Sequence, residues 1–248
     1  VQESKLPFLD HLKELRLRLI RSFIAVVVIF LPLVFFSNEI YELASSPLQA
    51  LMPENSSMIA TQVASPFLSP LKLSFYLSLM ISIPYFFSEM WRFIAPGLFK
   101  KEKKFALGLV LSSVLLFYLG ILFAYFLVFP LIFGFFTSVT PDGVKVMTDI
   151  SSYLDFILSI FLAFAIAFEI PVLIFLLNWT GITSPESLAE KRPYVIVGCF
   201  ILGMLLTPPD VISQTLLAVP AWFLFEVGLL LSRIYIKNSS ETKERKPD

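Results

Sequence analysis

The chain has 248 residues, 57% of them hydrophobic and only 15% charged, with 19 basic side chains balanced by 19 acidic ones and a mean hydropathy of +0.82. Soluble domains carry about 25% charged residues, so this composition is that of an integral membrane protein with room for several spans in one domain. Zero net charge speaks against a nucleic-acid partner, and Cys199, the only cysteine, allows neither an intramolecular disulfide nor a CxxC site.

The opening stretch "FLDHLKELRLRLIRS" is amphipathic. Leu12, Leu15 and Leu19 share one helical face and Glu14, Arg18 and Arg21 another; Glu14 and Arg18 form an i,i+4 pair in the favourable direction. It reads as a membrane-surface helix anchored by basic residues. The uncharged run 22–38 is the first span, and no small-residue cleavage site follows it promptly, so it is read as an uncleaved span rather than a signal peptide. Span two is 73–88. The next run, 105–141, is too long for one helix and is expected to end near Pro130, with 133–137 as an exit segment. Span four is 153–179, with Glu169 inside it. The runs 193–209 and 211–231, the latter interrupted by Glu226, complete six spans, helical because backbone exposed to lipid must satisfy itself.

Pro32, Pro84, Pro130, Pro171 and Pro220 lie inside or at the edge of spans, where each removes an amide donor and favours a kink. Span five, at 194–206, is roughly 20 Å long as a helix against a hydrocarbon core of about 30 Å. The stop "TPPD" leads straight into span six, so short fifth and sixth helices joined by a tight turn are expected. The fold class is therefore an all-α membrane protein of six helices. Residues 1–236 form one transmembrane domain, and the polar tail 237–248 is expected to be disordered.

Basic residues orient the bundle. The N-terminal segment, the second and fourth loops and the tail hold seventeen Lys and Arg; the other side has only Lys72 and Lys145. By the positive-inside rule both termini are cytoplasmic.

Motifs for catalysis are missing: there is no HExxH, GxSxG or GxxxxGK[ST], and His11 is the only histidine. An enzyme is the weakest reading, and no metal or cofactor is expected. His11 is expected on a solvated helical face with Glu14. In the loop "EMWRFIAPGLFKKEKKF", Glu102 is one acid among four lysines. It is either simply charge-compensated or a seat for a guanidinium, which grips a carboxylate with a planar fork. Glu169 stands in the middle of a long apolar run, where a charge costs at least roughly 2.5 kcal/mol. Pro171 withholds the amide that would bond the Ala167 carbonyl, so a polar patch is expected there. Glu226 is expected to snorkel or to pair with Arg233.

Six stretches in this order, "HLKELRLRLI", "ATQVASPF", "RFIAPGLFKKEKK", "FEIPV", "KRPYVIVG" and "GMLLTPPDVISQTLLAVP", resemble the TatC family, its enterobacterial members in particular. TatC is the multispanning receptor of the twin-arginine protein translocase. The resemblance implies recognition of twin-arginine signal peptides on the cytoplasmic face of the bacterial inner membrane, by Glu14, Glu102 and Phe93, with Arg16 and Arg18 shaping the site. It implies docking of single-span TatA-like and TatB-like subunits near Glu169, with a second patch at Met204, Thr207 and Gln214. Pro47, Tyr125 and Asp210 match structural or assembly positions. Self-association and export of folded proteins driven by the proton gradient are implied as well. For Thr207 and Gln214, capping of the tight turn stands beside docking. Two other classes compete: a proton-coupled small-molecule transporter acting through Glu169, against which no internal repeat is found, and a scaffold in which Glu169 only holds helices together.

Overall fold

The described residues of the uncharged runs are helical, apart from turns at Phe36 and at Phe168 and Glu169, in the computed structural model, which describes residues 5–51, 58–94, 103–139, 147–206 and 211–244. Five helical stretches are long and apolar enough to cross a membrane: His11–Phe35, Ser65–Phe93, Leu107–Phe136, Ile150–Trp179 and Val211–Tyr235; the shorter Arg192–Leu205 is also apolar. The chain divides into two compact units, one made of Val1–Val114 with Thr140–Leu158, the other of Leu115–Val139 with Ser159–Asp248.

In the first unit, α1 (Lys5–Phe35) merges the amphipathic opening with the first span in one helix. The turn at Phe36 leads into α2 (Ser37–Leu51), and α3 runs from Ser65 to Ile94. Helices α1 and α3 are antiparallel: His11 meets Phe93, Arg18 meets Glu89, and Phe30 meets Phe75. Buried Ser74, Ser78 and Ser82 recur at four-residue spacing on α3. Their hydroxyls donate to Pro70, Phe75 and Leu79 carbonyls of the same helix, so small side chains are buried without leaving polar atoms bare.

The strands β1 (Met58–Ile59) and β2 (Thr148–Asp149) pair in parallel, Met58 opposite Thr148 and Ile59 opposite Asp149. Asp149 then starts α6 (Ile150–Ala167). Its Oδ1 accepts from the Ser151 and Ser152 amides at 3.0 Å, and its Oδ2 from the amide and hydroxyl of Thr61 at 2.9 and 2.7 Å. Ser151 adds hydroxyl contacts to Ser65 and Ser69, and Lys72 pairs with Asp155. These contacts fasten the first turn of α6 to α3. The Ser152 amide, followed by Thr61, holds the Asp149 carboxyl well below the usual carboxylate range.

The third span does not end at Pro130. Helix α4 (Lys103–Phe123) passes through a π turn at Ala124–Val128 into α5 (Phe129–Val139), with the Phe129 amide bonded to the Ala124 carbonyl. Pro130 has no amide for the acceptor one α-turn back. The wider π turn just before it shifts the hydrogen-bond register, so the chain continues as helix where an exit segment was expected.

In the second unit, α7 (Ile170–Trp179), α8 (Pro185–Glu190) and α9 (Arg192–Leu206) gather around α10 (Val211–Glu244). Ile174, Phe225 and Leu229 form a buried cluster covered by Ile170, Leu188, Ala189 and Val195. A Cβ on Gly228 would lie 2.9 Å from Pro171 Cα and 3.0 Å from Ile174 Cδ1, and one on Gly120 only 2.6 Å from the Phe164 carbonyl oxygen. Both glycines are there to let helices touch. The fifth helix is short, as expected at 15 residues. The sixth is not: α10 has 34 residues and carries 237–244, expected to be an unstructured tail, as a helical extension. Those residues are polar but contain no glycine or proline to stop the helix.

Candidate functional site

The α1–α3 end gathers charge. From α1 come His11, Glu14 and Arg18; from α3 come Glu89, Arg92 and Phe93. The Arg18 guanidinium lays Nε and Nη2 on Oε1 of Glu14 at 3.1 and 2.5 Å, and Nη1 on Oε2 of Glu89 at 3.1 Å. Arg92 Nη1 takes the other Glu89 oxygen at 3.1 Å. Glu89 is 2% exposed and Glu14 39%. A carboxylate buried that deeply is tolerated because each oxygen faces a guanidinium. The His11 ring is exposed, as expected, and is also stacked on Phe93, with centroids 4.2 Å apart and planes 18° from parallel.

Of the residues picked from sequence, the structure brings together Glu14 and Arg18, with Phe93 on the facing helix. Arg16 is exposed and bonds none of the described residues. Glu102 lies outside the described residues. Glu89 and Arg92 were missed, although "EMWR" puts an acid and a base three apart at the end of a span, the spacing of a helical ion pair.

In the second unit, the α-helix breaks at the acid in the fourth span. Helix α6 ends at Ala167, Phe168 and Glu169 form a turn, and Glu169 caps α7 with Pro171 behind it. The Glu169 amide donates to the Ile166 carbonyl at 3.0 Å, one residue closer than in an α-helix. The break falls where the proline ring would meet the Ala167 carbonyl. Glu169 is half-buried, between Phe168, which packs on Phe123, and Pro171, which packs on Gly228. Tyr125 sits in the π turn, 39% exposed, with its ring near Phe161.

Gly203 of α9 approaches the Gln214 backbone to within 3.3 Å of an added Cβ, and Met204 beside it points outward, 54% exposed. Gln214 is fourteen residues before Gly228 on α10, about 21 Å along the helix. Glu169 and the Met204–Gln214 pair are therefore two patches. Thr207 and Asp210 lie outside the described residues. Pro47 falls within α2, its side chain outside the described set. Glu226 pairs with Arg192, Oε1 to Nε at 2.6 Å and Oε2 to Nη2 at 2.7 Å, and not with Arg233. Residues 226 and 233 are two turns apart on one helix, whereas Arg192 opens the helix packed alongside.

These features define a polytopic α-helical membrane protein. Residues 10–220 match the family model for the Sec-independent protein translocase protein (TatC). The TatC of Escherichia coli strain K12 is 55% identical over 98% of this chain and 94% of its own length. That of Azotobacter chroococcum mcd 1 is 58% identical over 92% of this chain and 89% of its own length. A crystal structure of the twin-arginine translocase receptor TatC superimposes with a TM-score of 0.82 at 35% identity, covering 90% of this chain and 98% of that one. The chain belongs to the TatC family, a family of protein-translocase components and not of enzymes.

Proposed function

We propose that the chain is the receptor and assembly platform of a twin-arginine translocase, binding twin-arginine signal peptides and recruiting single-span subunits for export of folded proteins driven by the proton gradient. The observation that carries the reading is Glu14. It is a half-exposed carboxylate at the end of two packed helices, next to an aromatic pair, and it already accepts a guanidinium fork from Arg18. A site that holds one guanidinium has the chemistry to hold another. Glu14 and Glu102 receive the paired arginines, Phe93 lines the seat, and Arg16 and Arg18 shape it. Seventeen basic residues against two put this end, and both termini, in the cytoplasm of a bacterium's inner membrane.

TatA-like and TatB-like single-span subunits dock at Glu169 and at the patch of Met204, Thr207 and Gln214, while Pro47, Tyr125 and Asp210 serve folding or assembly. The turn at Glu169 suits docking because a broken helix in a membrane offers backbone and carboxylate acceptors to a neighbour. The protein is expected to self-associate in the membrane.

The test is binding of a twin-arginine signal peptide to the protein in nanodiscs, beside a twin-lysine peptide. Wild type is expected to prefer arginine, and Glu14→Gln or Glu102→Gln to abolish the preference. Equal binding of both peptides by all three proteins would remove the receptor reading.

A further inference from the structure

Glu89 has no part in that reading, yet it is the deepest charge at the α1–α3 end, 2% exposed with a guanidinium on each oxygen. Arg18 is shared between two acids. Nη1 reaches inward to the Glu89 carboxylate at 3.1 Å and to its backbone carbonyl at 3.5 Å. Nε and Nη2 reach outward to Oε1 of Glu14. All the bonds to Glu14 fall on that one oxygen, and Oε2 accepts none from the described residues.

We propose that Arg18 is an internal stand-in for the arginine of an incoming signal peptide: it caps Glu14 while the receptor is empty, and Glu89 is the counter-charge onto which it withdraws when a ligand guanidinium takes its place. The proposal rests on Glu14 being the guanidinium seat. The geometry supplies each part of such an exchange. The free Oε2 and the 39% exposure of Glu14 give a ligand a first foothold beside the cap. The bonds from Nη1 to Glu89 already exist, so Arg18 gives up its hold on Glu14 without leaving a cation unpaired among packed helices, where an unpaired charge is expensive. Arg92 shares Glu89 from the exposed side, 66% exposed itself, and is free to turn to water as Arg18 moves in.

The consequence is a threshold. The cap lowers the affinity of every cationic ligand by the same factor, so a single weakly held lysine or arginine does not fill the seat, and a peptide presenting paired guanidiniums does. Glu89 is thus a positioning residue that acts through Arg18.

Removing Arg18 and removing the charge of Glu89 should have opposite signs. Full-length protein in nanodiscs is titrated with the twin-arginine peptide in wild type, Arg18→Gln, Glu89→Gln and the double variant, with the twin-lysine peptide and Glu14→Gln run in parallel. Arg18→Gln is expected to tighten binding roughly tenfold, the weight of one charge-assisted hydrogen bond. Glu89→Gln is expected to weaken it by a similar factor because the cap has lost its retreat, and Glu89→Asp to restore most of the loss. In the Arg18→Gln background Glu89→Gln should change nothing.

If Arg18→Gln weakens binding or leaves it unchanged, or if Glu89→Gln acts equally with and without Arg18, the exchange is overturned. The receptor reading then stands, provided wild type still prefers arginine and Glu14→Gln abolishes that preference. Should Glu89→Gln fail to fold, the direction of the Arg18→Gln change decides alone.

Discussion

Arg192, the first residue of α9, donates Nε and Nη2 to the two carboxylate oxygens of Glu226 on α10 at 2.6 and 2.7 Å. The fork joins two helices that are consecutive in sequence along their packed faces. Arg192 is 41% exposed and Glu226 27%, so water screens the pair and its coupling is expected to be weak. A double-mutant cycle of Arg192→Ala and Glu226→Ala, read by thermal unfolding in detergent, measures it. Arg192→Lys should keep less than half of the coupling, because an ammonium cannot form the fork. Additive single-site effects would mean that the pair does nothing for stability.

Asp149 gives a pH prediction. Its carboxyl is held below the usual range by the Ser152 amide first and Thr61 second. A depressed folded-state value means that the group stabilises the fold above its ordinary value of about 3.9. That contribution is lost only as pH falls through the window between the ordinary and the depressed values. Hydrogen exchange at the Thr61 and Ser152 amides should therefore stay slow at pH 4 relative to the intrinsic rate. Asp149→Asn should accelerate both amides at neutral pH and remove the acid dependence. Protection unchanged in Asp149→Asn would show that the side chain does not hold this segment.

Uncharged runs are visible in sequence because a bilayer sets a minimum length, and the five span-length helical stretches and the shorter Arg192–Leu205 lie where those runs are. The Glu14–Arg18 pair was equally visible, being one turn apart. Interactions over long sequence distances were not. Glu89 meets Arg18 across 71 residues and Glu226 meets Arg192 across 34, and nothing in local spacing singles out those partners. Pro130 misled for a different reason: a proline read as a stop is accommodated when a π turn precedes it. The polar tail of α10 misled because composition reports the lack of a core, while a helix already propagated through span six needs no new nucleus to continue.

Glycines at helix contacts provide a graded test. Gly228→Ala forces a methyl to within 2.9 Å of Pro171 and Gly120→Ala to within 2.6 Å of a backbone oxygen. Overpacking of this kind costs about 1–3 kcal/mol, and the Gly120 change should be the worse, since its contact is closer and its three nearest atoms are all backbone, whereas two of the three at Gly228 belong to the Ile174 side chain. Gly108, also helical, has nothing within 4 Å of an added Cβ, and Gly108→Ala should be neutral or stabilising by up to about 1 kcal/mol. Unfolding temperatures in one detergent compare the three. A Gly120→Ala protein as stable as wild type would contradict the close contact between α4 and α6.

Glu169 separates docking from proton transport. As a docking residue it contributes a hydrogen bond to a polar group on a partner helix, an interaction worth about 1 kcal/mol in a membrane, or roughly fivefold in affinity. Glu169→Gln keeps an acceptor oxygen and should retain most partner recruitment, whereas Glu169→Ala should lose it by that factor, measured by site-specific cross-linking to a single-span subunit. As a proton carrier the residue would show the reverse pattern: Glu169→Gln, which cannot titrate, would abolish export as completely as Glu169→Ala while leaving cross-linking intact. The turn at residues 168–169, with Pro171 withholding an amide that an α-helix would use, is compatible with docking without any change in protonation, and the Glu169→Gln pattern decides between the two roles.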